Sequence, residues 1–225
     1  MNSEIISIDG PSAVGKTTIG SKIAQNLNFS FLDSGCIYRF FGYLKYISKF
    51  SVQEILRVNF YNREYVFLDA RSNVYFKDEN ISDILQNERI ANIASELAQD
   101  KHIRKLASKV MLNYVQKEGN SVVVGRDIGS MVFPKARLKL FLNADLKVRA
   151  MRRAVDLSGE TGYHKQNFLE VDLQSRDARD MSRMESPLVK AKDAIEINND
   201  HLSIEDSVGI ILQYWKVHQV GCVKV

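Results

Sequence analysis

The sequence is poor in proline and cysteine and has no long apolar run. Three prolines in 225 residues leave no Pro-rich tract that would mark an interdomain linker. Two cysteines, Cys36 and Cys222, are too few and too far apart for a disulfide framework or a Cys-based zinc site, so both are read as reduced thiols. The four histidines, His102, His164, His201 and His218, lack ligand spacing, which speaks against a metal site of protein origin. No apolar stretch approaches the roughly 18 residues that span a bilayer. The polar, acidic start MNSEIISIDG lacks the basic region of a secretory signal, so a cytoplasmic protein with no membrane partner is expected.

What remains is ordinary globular composition, 45% hydrophobic and 26% charged, in a chain long enough for one substantial core and perhaps a small insert. The net charge of +4 is modest. Its arginines gather around Arg126, at Arg149 to Arg153 and at Arg176 to Arg183, a clustering that fits a compact polyanion better than a nucleic acid backbone.

The pattern along the chain is α/β. Ile5, Ile6 and Ile8 predict a strand ending at Asp9, and Ile19, Ile23 and Leu27 predict a helix after an intervening turn. FSFL is a second strand, followed by a helix from Ile37 to Tyr46. YVFL and VYFK, separated by ARSN, read as a hairpin between about Tyr61 and Ile84. Helical spacing returns at Ile90, Ile93 and Leu97 and again at Ile103, Leu106, Val110 and Tyr114. SVVV, LKLFL and AIEI are short enough for buried parallel strands, and Ser203 with Asp206 signals the start of a last helix. Strands alternating with helices imply a parallel sheet covered on both faces, with ligands at the strands' carboxyl ends. Asp9, Asp33, Arg126 and Asn143 fall at those ends.

Between the first strand and helix, Gly10, Pro11, Ser12, Ala13, Val14, Gly15, Lys16 and Thr17 satisfy GxxxxGK[ST] in the context that pattern requires. Such a loop turns successive N–H groups toward an anion, lets Lys16 reach the β- and γ-phosphates of ATP, and places Thr17 to meet Mg²⁺. The chain has no NKxD guanine-reading motif, and neither SVVV nor LKLFL is followed by the acidic pair of a mechanical ATPase. Those absences weaken a switch or motor reading. Arginine in quantity suits transfer between two anions, whose repulsion must be neutralised.

IDGPSAVGKTT, LDSGCIYR, NIASELA, GRDIGSMVFP, FLNAD, RDARDMSR and PLVKAKDAI together resemble the bacterial cytidylate kinases, in the same order and over nearly the whole chain. The resemblance implies a P-loop kinase with a five-stranded parallel sheet flanked by helices, a small β-containing nucleoside monophosphate-binding insert and a helical lid. One kinase domain, 1–225, would have its core at about 1–60, 86–150 and 185–225, the insert at about 61–85 and the lid at about 151–184. The implied reaction is ATP + CMP (or dCMP) → ADP + CDP (or dCDP), transferred in line with Mg²⁺ on the ATP phosphates, in a monomer.

By the same resemblance, Ser34 lies near the base and Arg39 near the acceptor phosphate, while Ser95 and Arg104 contact pentose and cytosine. Arg126 and Asp127 stand where acceptor and donor meet, Arg176 and Asp180 hold the pentose hydroxyls, and Arg183 holds phosphate. Lys16, Arg126, Asp127 and Arg183 form the implied catalytic set. Arg153 joins the loop residues Gly10 to Thr18 in binding ATP. Arg176, Arg179, Asp180 and Arg183 share one helical face by spacing, and Arg149, Arg152 and Arg153 precede the polar lid segment SGETGYHK. In this chain Thr17 and Thr18 stand where the family more often has GT, Val124 replaces a frequent acidic residue, and Cys36 replaces the usual alanine. The acceptor phosphate is already an anionic nucleophile, so no general base is needed.

Overall fold

A computed structural model of the chain describes residues 3–60, 65–158 and 166–220. Cys222, His164, the start of the expected insert and most of SGETGYHK lie outside these residues. β1 (Ile5–Asp9), β2 (Ser30–Asp33), β6 (Ser121–Gly125), β7 (Leu138–Asn143) and β8 (Ile195–Asn198) pair in parallel in the order β2-β6-β1-β7-β8. These are the five strands expected. Their side chains alternate between two cores. Ile6, Ile8, Val122, Val124, Leu138, Leu140 and Leu142 pack with α1 (Lys16–Leu27) and α8 (Ile204–Val220) on one face. Leu32 and Val123 pack with α2 (Ser34–Tyr46) and α5 (Lys101–Glu118) on the other.

Lys139 faces the second side from the middle of β7, and its ammonium reaches the surface carboxylate of Asp193 at 2.7 Å. Several helices start where a side chain can accept an orphan N–H. Asp33 caps α2 through Gly35 N at 2.8 Å, Asp100 caps α5, and Ser203 and Asp206 bond each other's backbone at the start of α8. Ser51 and Glu54 form a full capping box on the short α3 (Val52–Leu56).

The hairpin is present as β3 (Val66–Leu68) and β4 (Val74–Phe76), turned by Asp69, whose carboxylate accepts from the N–H groups of Arg71 and Asn73. A third strand, β5 (Glu79–Asn80), extends it. The connecting turn places Lys77 at φ 50° and Asp78 at φ 67°. Two successive positive φ angles define the hairpin turn that Asn-Gly usually signals, so Lys-Asp gave no cue in the sequence. This small sheet shares the core of α2. Val66, Val74, Phe76, Ile81 and Leu85 bury against Phe40 and Phe41, with Phe40 edge-on to Phe60 and Phe76.

α4 (Glu88–Leu97) packs along α2, while α6 (Leu146–Ser158) and α7 (Gln166–Ser182) pack on each other. The α6–α7 pair buries only a small cluster, Ala150, Ala154, Leu169 and Leu173, with Ala13 of the Gly10–Thr17 loop against it. Among the described residues no helix is long and apolar enough to cross a membrane.

Phe40 joins the small sheet to the main core, so Phe40→Ala is expected to cost about 3–5 kcal/mol, read as a lower urea midpoint at unchanged m-value.

Candidate active site

The loop between β1 and α1 is shaped by three backbone angles, Gly10 at φ 150°, Ala13 at φ 58° and Gly15 at φ 95°. Gly10 has a further constraint, because a Cβ there would lie 2.1 Å from the Leu142 carbonyl oxygen. Gly15 offers no side chain to cap α1, so the helix's first turn faces the cleft as a ready anion site. Lys16 is buried with its ammonium on the carbonyls of Gly10 (2.8 Å) and Pro11 (2.5 Å). Burial, followed by the nearby Arg126 charge, lowers its pKa well below the usual lysine value.

Other elements hold the loop from outside. The Asn199 amide donates to Val14 O at 2.8 Å and accepts from Ser207 Oγ at 3.0 Å. Asp177 accepts from Ser12 N at 3.0 Å, and Arg149, paired with Asp177, donates to Ser12 O at 3.1 Å. Arg149 therefore supports the loop from α6. Neither Asn199 nor Asp177 carried a signal in the sequence, since INND and the middle of RDARDMSR look like surface.

Opposite the loop, a cleft of about 620 Å³ extends to α2, α4 and α7, within the range of small-molecule sites. Ser12 to Thr18 line it, whereas Gly10 and Pro11 do not and instead present their carbonyls to Lys16. Ser34, Arg39, Ser95 and Arg104 line it as well. Arg126, Asp127, Arg153, Arg176, Asp180 and Arg183 lie along the same cleft. Asp33 lines it too, whereas Asp9 and Asn143 do not. Apart from Gly10 and Pro11, the residues expected to bind ATP or CMP line this one cavity. Arg179, expected on the same helical face as Arg176, does not line the cleft, and its guanidinium lies 4.0 Å from Glu96 on α4.

The charged groups hold one another. Arg126 donates to Asp180 Oδ2 at 3.0 Å and to Ser12 Oγ at 2.9 Å. Arg183 lies 3.3 Å from the other Asp180 oxygen and 3.8 Å from Asp127, and Arg104 is bonded to Asp127. Burial and the neighbouring Arg104 charge lower the pKa of Arg183. For Arg104, burial opposes the charge, but Tyr38 and Asp127 outweigh it and raise the pKa. Arg39 makes no hydrogen bond or ion pair among the described residues. Tyr38 Oη, Ser95 Oγ, Arg104 Nε and Arg183 Nη2 are buried without hydrogen-bond partners. With Arg152 Nη1, five such atoms belong to residues lining this cavity, which suits a polar ligand site, because unsatisfied buried groups are otherwise rare.

Two oxygen donors meet at the loop end, where Thr17 Oγ1 donates to Asp33 Oδ2 at 2.8 Å. A hydroxyl beside a carboxylate suits a hard cation such as Mg²⁺. Thr18 also lines the cleft but has no carboxylate partner among the described residues. No cluster of three His, Cys, Asp or Glu side chains suited to a metal occurs among the described residues. The Cys36 thiol is buried against Ser72, and burial pushes its pKa up to about 12.

Asp9 supports the site from below. Its two carboxylate oxygens accept from Ile128 N and Gly129 N, each at 2.8 Å, in the turn that follows Arg126 and Asp127. Burial raises its pKa to about 6, against the opposing pull of those two N–H groups.

The family model described as Cytidylate kinase matches residues 6–217. The cytidylate kinase of Mycoplasmoides gallisepticum is 39% identical over 216 residues, covering 96% of this chain and 95% of that protein. That of Mycoplasma pneumoniae is 36% identical over 210 residues, covering 92% and 94%. The solved structure of an uncharacterized protein from Eubacterium ventriosum superposes with a TM-score of 0.51 at 15% identity, covering 96% of this chain and 99% of that one, and shows the shared fold.

A carboxyl raised from 3.8 to about 6 on folding stabilises the folded state fully below 3.8 and loses that contribution as pH rises through 6. The stability of Asp9→Asn relative to the unaltered protein should therefore improve between pH 4 and 7, by on the order of 2–3 kcal/mol. Urea unfolding of both proteins across that range checks it.

Proposed function

The chain belongs to the cytidylate kinase family, and we propose that its cleft holds ATP and CMP end to end, with the cleft residues dividing the work. It phosphorylates CMP with ATP as the donor. The observation that carries the assignment of roles is one cavity lined by Lys16 and the first turn of α1, by Arg126, by Arg39, which has no hydrogen bond or ion pair among the described residues, and by Tyr38, Ser95, Arg104 and Arg183 with their unsatisfied polar atoms.

On this reading the backbone of Ser12 to Thr18 and Lys16 grip the ATP phosphates, and Arg153 approaches them from α6. Thr17 and Asp33 would hold Mg²⁺, which supplies charge neutralisation on the phosphate oxygens. Burial suits Lys16 to its role, because a desolvated ammonium interacts strongly with charge that develops beside it. Its present partners are two neutral carbonyls, which are exchanged for phosphate at less cost than a carboxylate would be.

At the other end, Arg39, Arg126 and Arg183 take the acceptor phosphate, Ser95, Arg176 and Asp180 the pentose, and Ser34 and Arg104 the pyrimidine. Arg104 is fixed by Asp127 and by the Ala98 carbonyl at 3.2 Å, so its remaining Nε–H is directed rather than free to rotate. Oriented donors of this kind distinguish cytosine's acceptors from bases that present an N–H at the same place. Transfer needs no proton removed from the nucleophile, and rate enhancement comes from alignment and charge neutralisation. All these residues come from one chain, so a monomer suffices.

Incubating the protein with ATP, Mg²⁺ and each nucleoside monophosphate in turn should give diphosphate from CMP and dCMP in preference to UMP, dTMP or the purine nucleotides; equal use of all of them would sink the assignment of Arg104 and Ser34. Lys16→Ala is expected to lower kcat by at least about 10³-fold with unchanged circular dichroism. Asp180→Ala should narrow the preference for CMP over its 2′,3′-dideoxy analogue, measured as the ratio of kcat/KM values, and a ratio equal to that of the unaltered protein would count against the pentose role.

A further inference from the structure

We propose that the Glu88 carboxylate takes the place of an ATP phosphate on Arg153, with its second oxygen toward Arg176, so that ATP must displace it to engage Arg153. The proposal rests on the reading of Arg153 as a ligand of the ATP phosphates. Glu88 opens α4, the helix that also carries Ser95 on the acceptor wall. One of its oxygens accepts from Arg153 Nε at 2.9 Å and from the adjacent Nη2. Its other oxygen lies 3.6 Å from Arg176 Nη1. Two neighbouring N–H groups of one guanidinium converging on an anion is the arrangement Arg uses for phosphate. The carboxylate therefore satisfies Arg153 through the same edge that ATP would need.

Charge explains why such a stand-in is required. Arg153 and Arg176 come from α6 and α7, and their side chains are only 17% and 12% exposed. Burial, and then the nearby Arg126 charge, lower the pKa of Arg176, while Glu88 acts in the opposite sense. Among the described residues, Glu88 is the one carboxylate paired with Arg153. Asp172, 3.9 Å from Arg176 on the same helix, compensates that guanidinium in part, but Arg153 has no second paired carboxylate among the described residues if its anion is removed. Glu88 supplies that anion from the acceptor side, in a position that a dianionic phosphate can take over with stronger attraction.

A purely structural acid at a helix N-terminus would affect stability alone. Competition has a different sign, because removing the competitor makes the ligand bind more tightly. When the binding-competent form is only partly populated, apparent affinity falls by that fraction. Glu88→Gln keeps the size of the side chain and removes its charge.

The test is titration calorimetry of full-length protein with ATP and Mg²⁺, without CMP, for the unaltered chain and for Glu88→Gln, Glu88→Ala, Glu88→Asp and Arg153→Ala. Glu88→Gln and Glu88→Ala are each expected to bind ATP about 5-fold more tightly, Glu88→Asp to stay near the unaltered protein, and Arg153→Ala to bind more weakly. Two charge-removing variants keep the test open if one of them folds poorly. Unchanged or weaker ATP binding in the folded charge-removing variants, with Arg153→Ala weakened, overturns the role of Glu88 alone. Unchanged binding in Arg153→Ala overturns the assignment of Arg153 to ATP, and the proposal with it.

Discussion

Charge balance around a crowded set of guanidinium groups is the constraint on which the rest of the molecule depends. Two polyanions can share one cleft only if positive charge surrounds the point where their phosphates approach, yet that charge must be tolerated when neither is present. The chain balances that charge with carboxylates of its own, from helices and from the turn after β6. Asp180 holds Arg126 and Arg183, Asp127 holds Arg104, and Glu88 holds Arg153. Buried pairs of this kind add little net stability, but deleting one partner leaves an uncompensated charge at a cost of about 3–5 kcal/mol. Substitutions of Asp127 or Asp180 therefore need a folding control before their effect on turnover is assigned to catalysis.

The phosphate-binding loop depends on its surroundings in a similar way. Its curvature requires Gly10 beside the Leu142 carbonyl and positive φ at Ala13 and Gly15. Strained loops persist when their surroundings over-determine them. Here Ser12 is held through its N–H by Asp177, through its carbonyl by Arg149 and through its hydroxyl by Arg126, and Val14 is held by Asn199. These four residues come from α7, α6, the end of β6 and the end of β8, so the loop is fixed by parts of the chain far away in sequence.

That distribution explains what the sequence disclosed and what it hid. The five parallel strands were legible because Ile5 to Ile8, SVVV and LKLFL are short apolar runs with helical spacing between them. The lysine and most cleft arginines were legible because they sit in motifs with a defined backbone context. The turn at Lys77 and Asp78 was not, since its positive φ angles fall on residues that rarely adopt them. Asn199, Asp177 and Glu88 stayed hidden for a different reason. Their work is to bond a partner 185, 165 or 65 residues away, and no local spacing encodes such a pairing. Asp33 was ambiguous between a helix cap and a site residue, and its two oxygens do both, accepting from Gly35 N and from Thr17 Oγ1.

The way α6 and α7 are attached follows from what they must do. Their shared apolar cluster comprises Ala150, Ala154, Leu169 and Leu173, small beside the two cores that clamp the sheet. Across the cleft they are joined to the body by ion pairs to Glu88, Arg126 and Asp127. Pulling two packed apolar surfaces apart leaves both facing water, with no new attraction to offset the cost. An ion pair at a cleft wall can instead be exchanged for one with a phosphate, so that the free-energy change is a difference between two attractions rather than the loss of one. On the proposed reading, helices fastened in part by exchangeable charge would change partners when nucleotides bind, while the parallel sheet behind them is fastened by Ile, Val and Leu.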